Sequence, residues 1–169
     1  MDLKSIVQAK VYDADVQLRG LIGKFEVSAR STTTIEHGTL GMVGVLEVGG
    51  RPLKPVTGKI MMPHLDDVYD GKLSNPGLLH SWQLHQDVDV FDTGAGYSFE
   101  KSHTIVHDMD FQVTEATGTT SELGEKAEGE YAISIPRYRI FRLGESAAIW
   151  ELDIDADLFE VLGQPVWRQ

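Results

Sequence analysis

The chain holds 169 residues, 41% hydrophobic and 24% charged, which fits one folded domain burying about two-thirds of its unfolded surface in a single core. Cysteine is absent, so disulfides, thiolate catalysis and thiolate zinc sites are excluded, and 15 basic against 26 acidic residues give a formal charge of −11 that argues against gripping nucleic acid by neutralising phosphates. No run nears the roughly 18 apolar residues of a membrane span, and Met1-Asp2-Leu3-Lys4-Ser5 lacks the apolar stretch of a signal peptide, so the expected location is the cytosol where the chain is made.

Val7 to Tyr12 and Val16 to Val27 alternate loosely between apolar and polar residues, and Asp13-Ala14-Asp15 separates them, which predicts an N-terminal hairpin. From Ser28 to Pro55 the composition changes. Ser31-Thr32-Thr33-Thr34 precedes Gly38, Gly41, Gly44, Gly49 and Gly50, and the apolar Ile35, Leu40, Met42, Val43, Val45 and Leu46 favour an arm, at about 29–55, that packs on something else. Val56 to Met62 predicts a strand ended by Pro63. Leu65, Val68, Tyr69 and Leu73 then recur at helical spacing, with His64, Asp66 and Asp67 at the start and Ser74-Asn75-Pro76-Gly77 as the stop. This is the one helix predicted, at about 64–73, with its carboxylates near the positive end of the helix dipole.

Leu78 to Phe91 alternates clearly: His80, Trp82, Leu84, Val88 and Val90 lie on one side, Ser81, Gln83, His85, Asp87 and Asp89 on the other. Thr93-Gly94-Ala95-Gly96 turns the chain into Tyr97 to Val113, with a break near His107-Asp108, and the acidic stretch at about 115–130 predicts a surface loop. Tyr131 to Phe141, a Leu143-Gly144-Glu145 turn, Ile149 to Asp155 and Phe159 to Gly163 finish the chain as sheet-building segments. Within them Trp150, Leu152 and Ile154 oppose a stripe of carboxylates, Glu151, Asp153 and Asp155. Pro136 inside a strand that should pair on both sides predicts an edge or a bulge. Seven or eight strands and one short helix predict a mainly β fold, an antiparallel β-sandwich or partly closed barrel, with residues 1–169 as one domain.

Candidate chemistry is thin. His103, His107, Asp108 and Asp110 carry metal-ligating groups, but His103 and His107 on an extended strand lie about 13 Å apart, too far to share one ion. No G-x-S-x-G elbow occurs. Asp153 and Asp155 could do acid and base work on a sugar, although a row of acids is also the ordinary outer face of an antiparallel sheet. The glycine-spaced Gly38, Gly41, Gly44 and Gly94, Gly96 lack the following helix N-terminus that a phosphate cradle needs. Trp82 and Trp150 fall on apolar faces and read as core or interface anchors; Trp167 is the third tryptophan. The pattern points to assembly rather than catalysis, with no metal or other cofactor expected.

The Gly124-Glu125-Lys126-Ala127-Glu128 loop, the Tyr131 to Phe141 strand, the Gly144 turn, the Trp150-Glu151-Leu152-Asp153 strand and the ending Phe159 to Val166 together resemble the major tail tube proteins of contractile-tailed phages and R-type pyocins. A more distant likeness is to the type VI secretion tube protein. Ile35-Glu36-His37-Gly38-Thr39-Leu40-Gly41-Met42 and the Asp110 to Glu115 strand add to it. The resemblance implies a subunit that closes into hexameric rings by head-to-tail contacts, the rings stacking into a virion tail tube that conducts double-stranded DNA into the host. Its partners would be copies of itself, the sheath protein, the baseplate and tail terminator proteins, and genomic DNA that passes without specific binding. The subunit would be made in the host cytoplasm and insert into no membrane.

On that reading Glu151, Asp153 and Asp155 are the leading lumen candidates, with Asp87 and Asp89 second, because an acidic wall does not hold phosphates and so removes drag. Candidate contacts between subunits and rings are Ile35, Leu40, Met42, Val43, Val45, Leu46, Glu125, Glu128 and Trp167. Two other readings stay open: a pyocin-like or type VI-like tube without a genome, and a β-sandwich hydrolase or sugar-binding protein using His or carboxylate side chains.

Overall fold

Long runs of alternating apolar and polar residues decide the architecture, because each such run must bury one face. A computed structural model describes residues 2–37, 46–64, 66–116 and 128–166. Its strands are β1 (Asp2–Asp13), β2 (Val16–Gln17), β3 (Lys24–Val27), β4 (Thr32–His37), β5 (Leu46–Leu53), β6 (Val56–Met62), β7 (Leu79–Asp92), β8 (Gly96–Ala116), β9 (Gly129–Arg142), β10 (Ala148–Asp153), β11 (Leu158–Val161) and β12 (Gln164–Pro165), with one helix, α1 (Asp67–Leu73). The fold is mainly antiparallel β, as predicted. Ten strands form one sheet in the order β12-β11-β10-β9-β8-β7-β1-β2, with β6 and then β3 attached through β9; it does not close into a barrel. The arm supplies a separate two-stranded sheet, β4 with β5. Most of the predicted acidic loop, from 117 to 127, lies outside the described residues, as does Leu65.

Pro136 explains how one strand serves two partners. Residues 129–135 of β9 pair with β6, whereas 137–141 pair with β10, so the proline without an N–H sits at the changeover. Against β8 the register slips between Asp110 and Gln112 at the same place. The predicted bulge is there, and it flips the alternation: Tyr131, Ile133 and Ile135 are buried before it, Tyr138 and Ile140 after it. One core results. Trp82, Leu84, Met109, Phe111, Trp150 and Leu152 meet Val56, Ile60 and Met62 of β6, Leu18 and Leu73, with Phe25 and Tyr69 packed against them. β3 comes so close to β6 that a Cβ on Gly58 would stand 2.4 Å from the Glu26 carbonyl oxygen, so only glycine fits.

Several boundaries differ from the prediction for local reasons. The N-terminal hairpin is reduced to Tyr12–Gln17 and Asp13–Val16 pairs, because the predicted second strand breaks over 18–23 as Leu18, Leu21 and Ile22 turn toward the core. β1 pairs instead along its length with β7. The helix starts at Asp67 rather than His64, since Asp66 is its N-cap and its Oδ1 accepts from the Val68 and Tyr69 N–H groups, both at 3.1 Å. β8 runs unbroken through His107-Asp108, with Val106 on the polar side and His107 on the apolar one. β10 ends at Asp153, whose Oδ1 accepts from the Ala156 N–H at 3.0 Å and opens a turn over 154–157. Asp155 therefore leaves the predicted stripe, and Ile154, expected on the apolar side, is exposed.

Candidate functional site: the polar face of the sheet

Residues directly paired across an antiparallel ladder share a face, so the register assembles the side opposite the core row by row. One row runs Tyr12, Gln83, Asp108, Arg139, Glu151, Glu160 across six strands. The next runs Ser81, Asp110, Arg137, Asp153, Leu158. A third joins Lys10, His85, Val106 and Phe141, and Asp87 pairs with Thr104 beyond it. The face carries six carboxylates (Asp87, Asp108, Asp110, Glu151, Asp153, Glu160) and three cations (Lys10, Arg137, Arg139) in these rows.

The groups are bonded into a network rather than left as a bare acidic wall. Ser81 Oγ donates to Asp110 Oδ1 at 2.6 Å; Arg137 Nη1 donates to Asp110 Oδ2 at 3.0 Å and Arg137 Nη2 to Asp108 Oδ2 at 3.2 Å. Gln83 Nε2 donates to Asp108 Oδ1 at 3.2 Å, and its Oε1 lies 3.2 Å from His85 Nε2. Arg139 Nε stands 3.4 Å from Glu151 Oε2, while its Nη2 donates to the Ser146 carbonyl at 2.8 Å. Its guanidinium also lies over the Phe141 ring. The hydrogen bond that Arg137 donates to Asp110, first, then the charges of Asp110 and Asp108, raise the Arg137 pKa. Asp87 accepts from Thr104 Oγ1 at 2.7 Å and from Lys10 Nζ at 3.2 Å, and the Thr104 bond is the first cause of its lowered pKa.

Of the lumen candidates, Glu151, Asp153 and Asp87 come together on this one face. Asp89 lies further along β7 on the same side, with the Tyr97 hydroxyl donating to it at 3.4 Å. Asp155 sits in the turn beside Asp153. Among the contact candidates, Ile35 and Leu46 belong to the paired strands β4 and β5, Glu128 is exposed, and Leu40, Met42, Val43, Val45, Glu125 and Trp167 lie outside the described residues.

Asp108, Asp110, Arg137 and Arg139 do not stand out from the sequence as members of a face. Their signal is present all the same: the dyads Asp108-x-Asp110, Arg137-x-Arg139 and Glu151-x-Asp153 each place two charges on one side of a strand.

The opposite face holds a strongly perturbed histidine. His107 Nδ1 is 2.7 Å from the Tyr138 hydroxyl and Nε2 is 3.0 Å from Gln86 Oε1, which fixes the neutral tautomer with the proton on Nε2. Burial, and secondarily the Arg30 charge, push its pKa down to about 4. His103, by contrast, is half-buried with its Nδ1 2.8 Å from the Lys101 carbonyl, and Asp108 and Asp110 face the other way, so the H-x3-H-D-x-D residues do not converge. Among the described residues no group of three or more His, Asp or Glu side chains is arranged to hold a metal ion. Trp82 and Trp150 are buried in the core. The polar face has to be understood from its own residues, because no family model matches the chain and a search of curated proteins finds no match.

Proposed function

We propose that the chain is a self-assembling structural subunit of a contractile-tail inner tube, forming stacked hexameric rings whose passage is walled by the polar face and conducts double-stranded DNA. The observation that carries this reading is the border at β1. Among the described residues no strand pairs with its outer side over residues 2–10, since β2 covers only Tyr12 and Asp13. Leu3, Ile6 and Val7 stand 52%, 58% and 62% exposed along it.

A long apolar edge of this kind is a template for another strand, and a protein that needs to stay single blunts it. Lys4, Lys10 and the irregularity between Ile6 and Gln8 blunt this one only in part. The other end of the main sheet is finished differently. β12 has two residues, one of them Pro165, and the turn before it has positive φ at both Leu162 and Gly163, the geometry of a tight hairpin. A stripe of carboxylates engaged by arginines and by neighbouring hydroxyl and amide groups fits a wall better than a catalytic site.

Purified protein imaged in negative stain, with sedimentation velocity over a concentration series, is expected to show rings or tubes. The double variant Ile6→Lys, Val7→Lys alters only exposed side chains, so it should stay folded and lose association. A wild-type protein that stays monomeric at every concentration would overturn the reading.

A further inference from the structure

The two arginines of the polar face are caged. Each lies on β9 with a carboxylate opposite it on both neighbouring strands: Arg139 between Asp108 and Glu151, Arg137 between Asp110 and Asp153. Arg137 is forked across Asp108 and Asp110, whose side chains are 19% and 17% exposed, whereas Arg137 itself is 37% exposed. The carboxylates thus sit deep in the sheet surface and the guanidinium lies over them. Without those neighbours, two arginines one residue apart on a flat face would present their planar forks to a phosphate backbone, the geometry at which arginine is strongest.

We propose that Asp108, Asp110 and Glu151 serve to occupy Arg137 and Arg139, so that the polar face does not adhere to a polyanion moving along it. This rests on the reading of that face as the wall of a passage, and it names the device that keeps the wall slippery. Net acidity repels a phosphate within a screening length of about 8 Å, and the bonded cage adds to that repulsion at contact by holding the guanidinium donors on carboxylates. Lys10 is held in the same manner by Asp87.

The test uses the full chain and a short duplex DNA at low salt, with the side-chain Nε signals of Arg137 and Arg139 followed by NMR. The wild-type signals should not move. In Asp108→Asn, Asp110→Asn the cage is uncharged but nearly isosteric, and the Arg137 signal should shift on titration. The apparent affinity should be at least tenfold above wild type, falling roughly eightfold between 20 and 200 mM salt for one freed phosphate contact. Adding Arg137→Gln should abolish the gain, and the charge-matched control Glu100→Gln, Glu115→Gln should show none. Should the double variant fail to fold, Glu151→Gln tests the same idea through Arg139. A folded cage variant that binds no better than wild type, a gain that survives Arg137→Gln, or a wild-type protein that itself binds the duplex would each overturn the proposal. All of these are read without rings, so a failure of the tube reading, seen as an absence of assemblies, is distinguishable from a failure of the cage.

Discussion

The two faces of the main sheet obtain their order in different ways. On the core face, position is fixed by volume. Trp82, at 1% exposure, packs edge-on against Phe111 with centroids 5.1 Å apart and against Tyr69 at 6.4 Å. On the polar face it is fixed by paired charges and amides that remain partly wet. Removing volume from a close-packed interior leaves a cavity with both transfer and contact losses, whereas exposed ion pairs contribute little because water screens them. The core face should therefore hold the fold together, and the polar face should be free to be shaped by what it meets.

The largest effect is expected at Trp82. Trp82→Ala should destabilise the chain by about 4 kcal/mol, measured by urea denaturation. A loss below about 1 kcal/mol would mean that the ring is not the anchor of the core.

Next in size is the polar cluster placed on the core side. Neutral His107 accepts from Tyr138 and donates to Gln86, and its pKa of about 4 lies below the ordinary 6.5. The unfolded chain therefore takes up a proton between those values that the folded chain refuses. Stability contributed by His107 is full above pH 6.5, is lost as pH falls toward about 4, and changes no further below it. The loss across that window should be on the order of 2 kcal/mol, discounted for the exposure that remains. Burial lowers His80 and His85 in the same direction. Comparing wild type with His107→Gln by denaturation at pH 7, 5.5 and 4 isolates the single group: the variant should show the shallower dependence, and equal slopes would remove His107 as the cause.

How legible each face is in the sequence follows from the same physics. Strict alternation in β7 is enough to point His80, Trp82, Leu84, Val88 and Val90 inward, because a half-buried strand cannot hide a period of two. In β9 the period changes phase at Pro136. The odd-numbered Tyr131, Ile133 and Ile135 and the even-numbered Tyr138 and Ile140 share one face only once the bulge is known. The end of β10 escapes the pattern because Ile154 and Asp155 continue the alternation, while the Asp153 side chain satisfies the Ala156 N–H and stops the strand. The carboxylate stripe is legible strand by strand. Its arginine partners are not, since register between strands far apart in sequence is set by bulges and partner changes that local pattern does not encode.

The smallest effect on stability, and the one that sharpens the contrast of faces, is expected at Arg137. Arg137→Gln leaves Asp108 and Asp110 without their cation, but Ser81 still donates to Asp110 and Gln83 to Asp108, and water reaches both. The two acids, one residue apart on the same strand, then repel across a distance that solvent screens well. The cost should be about 1 kcal/mol, seen as a small drop in the denaturation midpoint with an unchanged slope, and it should shrink further in 0.5 M salt. A loss approaching that of Trp82→Ala would show that the network, rather than the core, sets the register of β8 against β9. The polar face would then be a structural keystone and not a surface left free for passage.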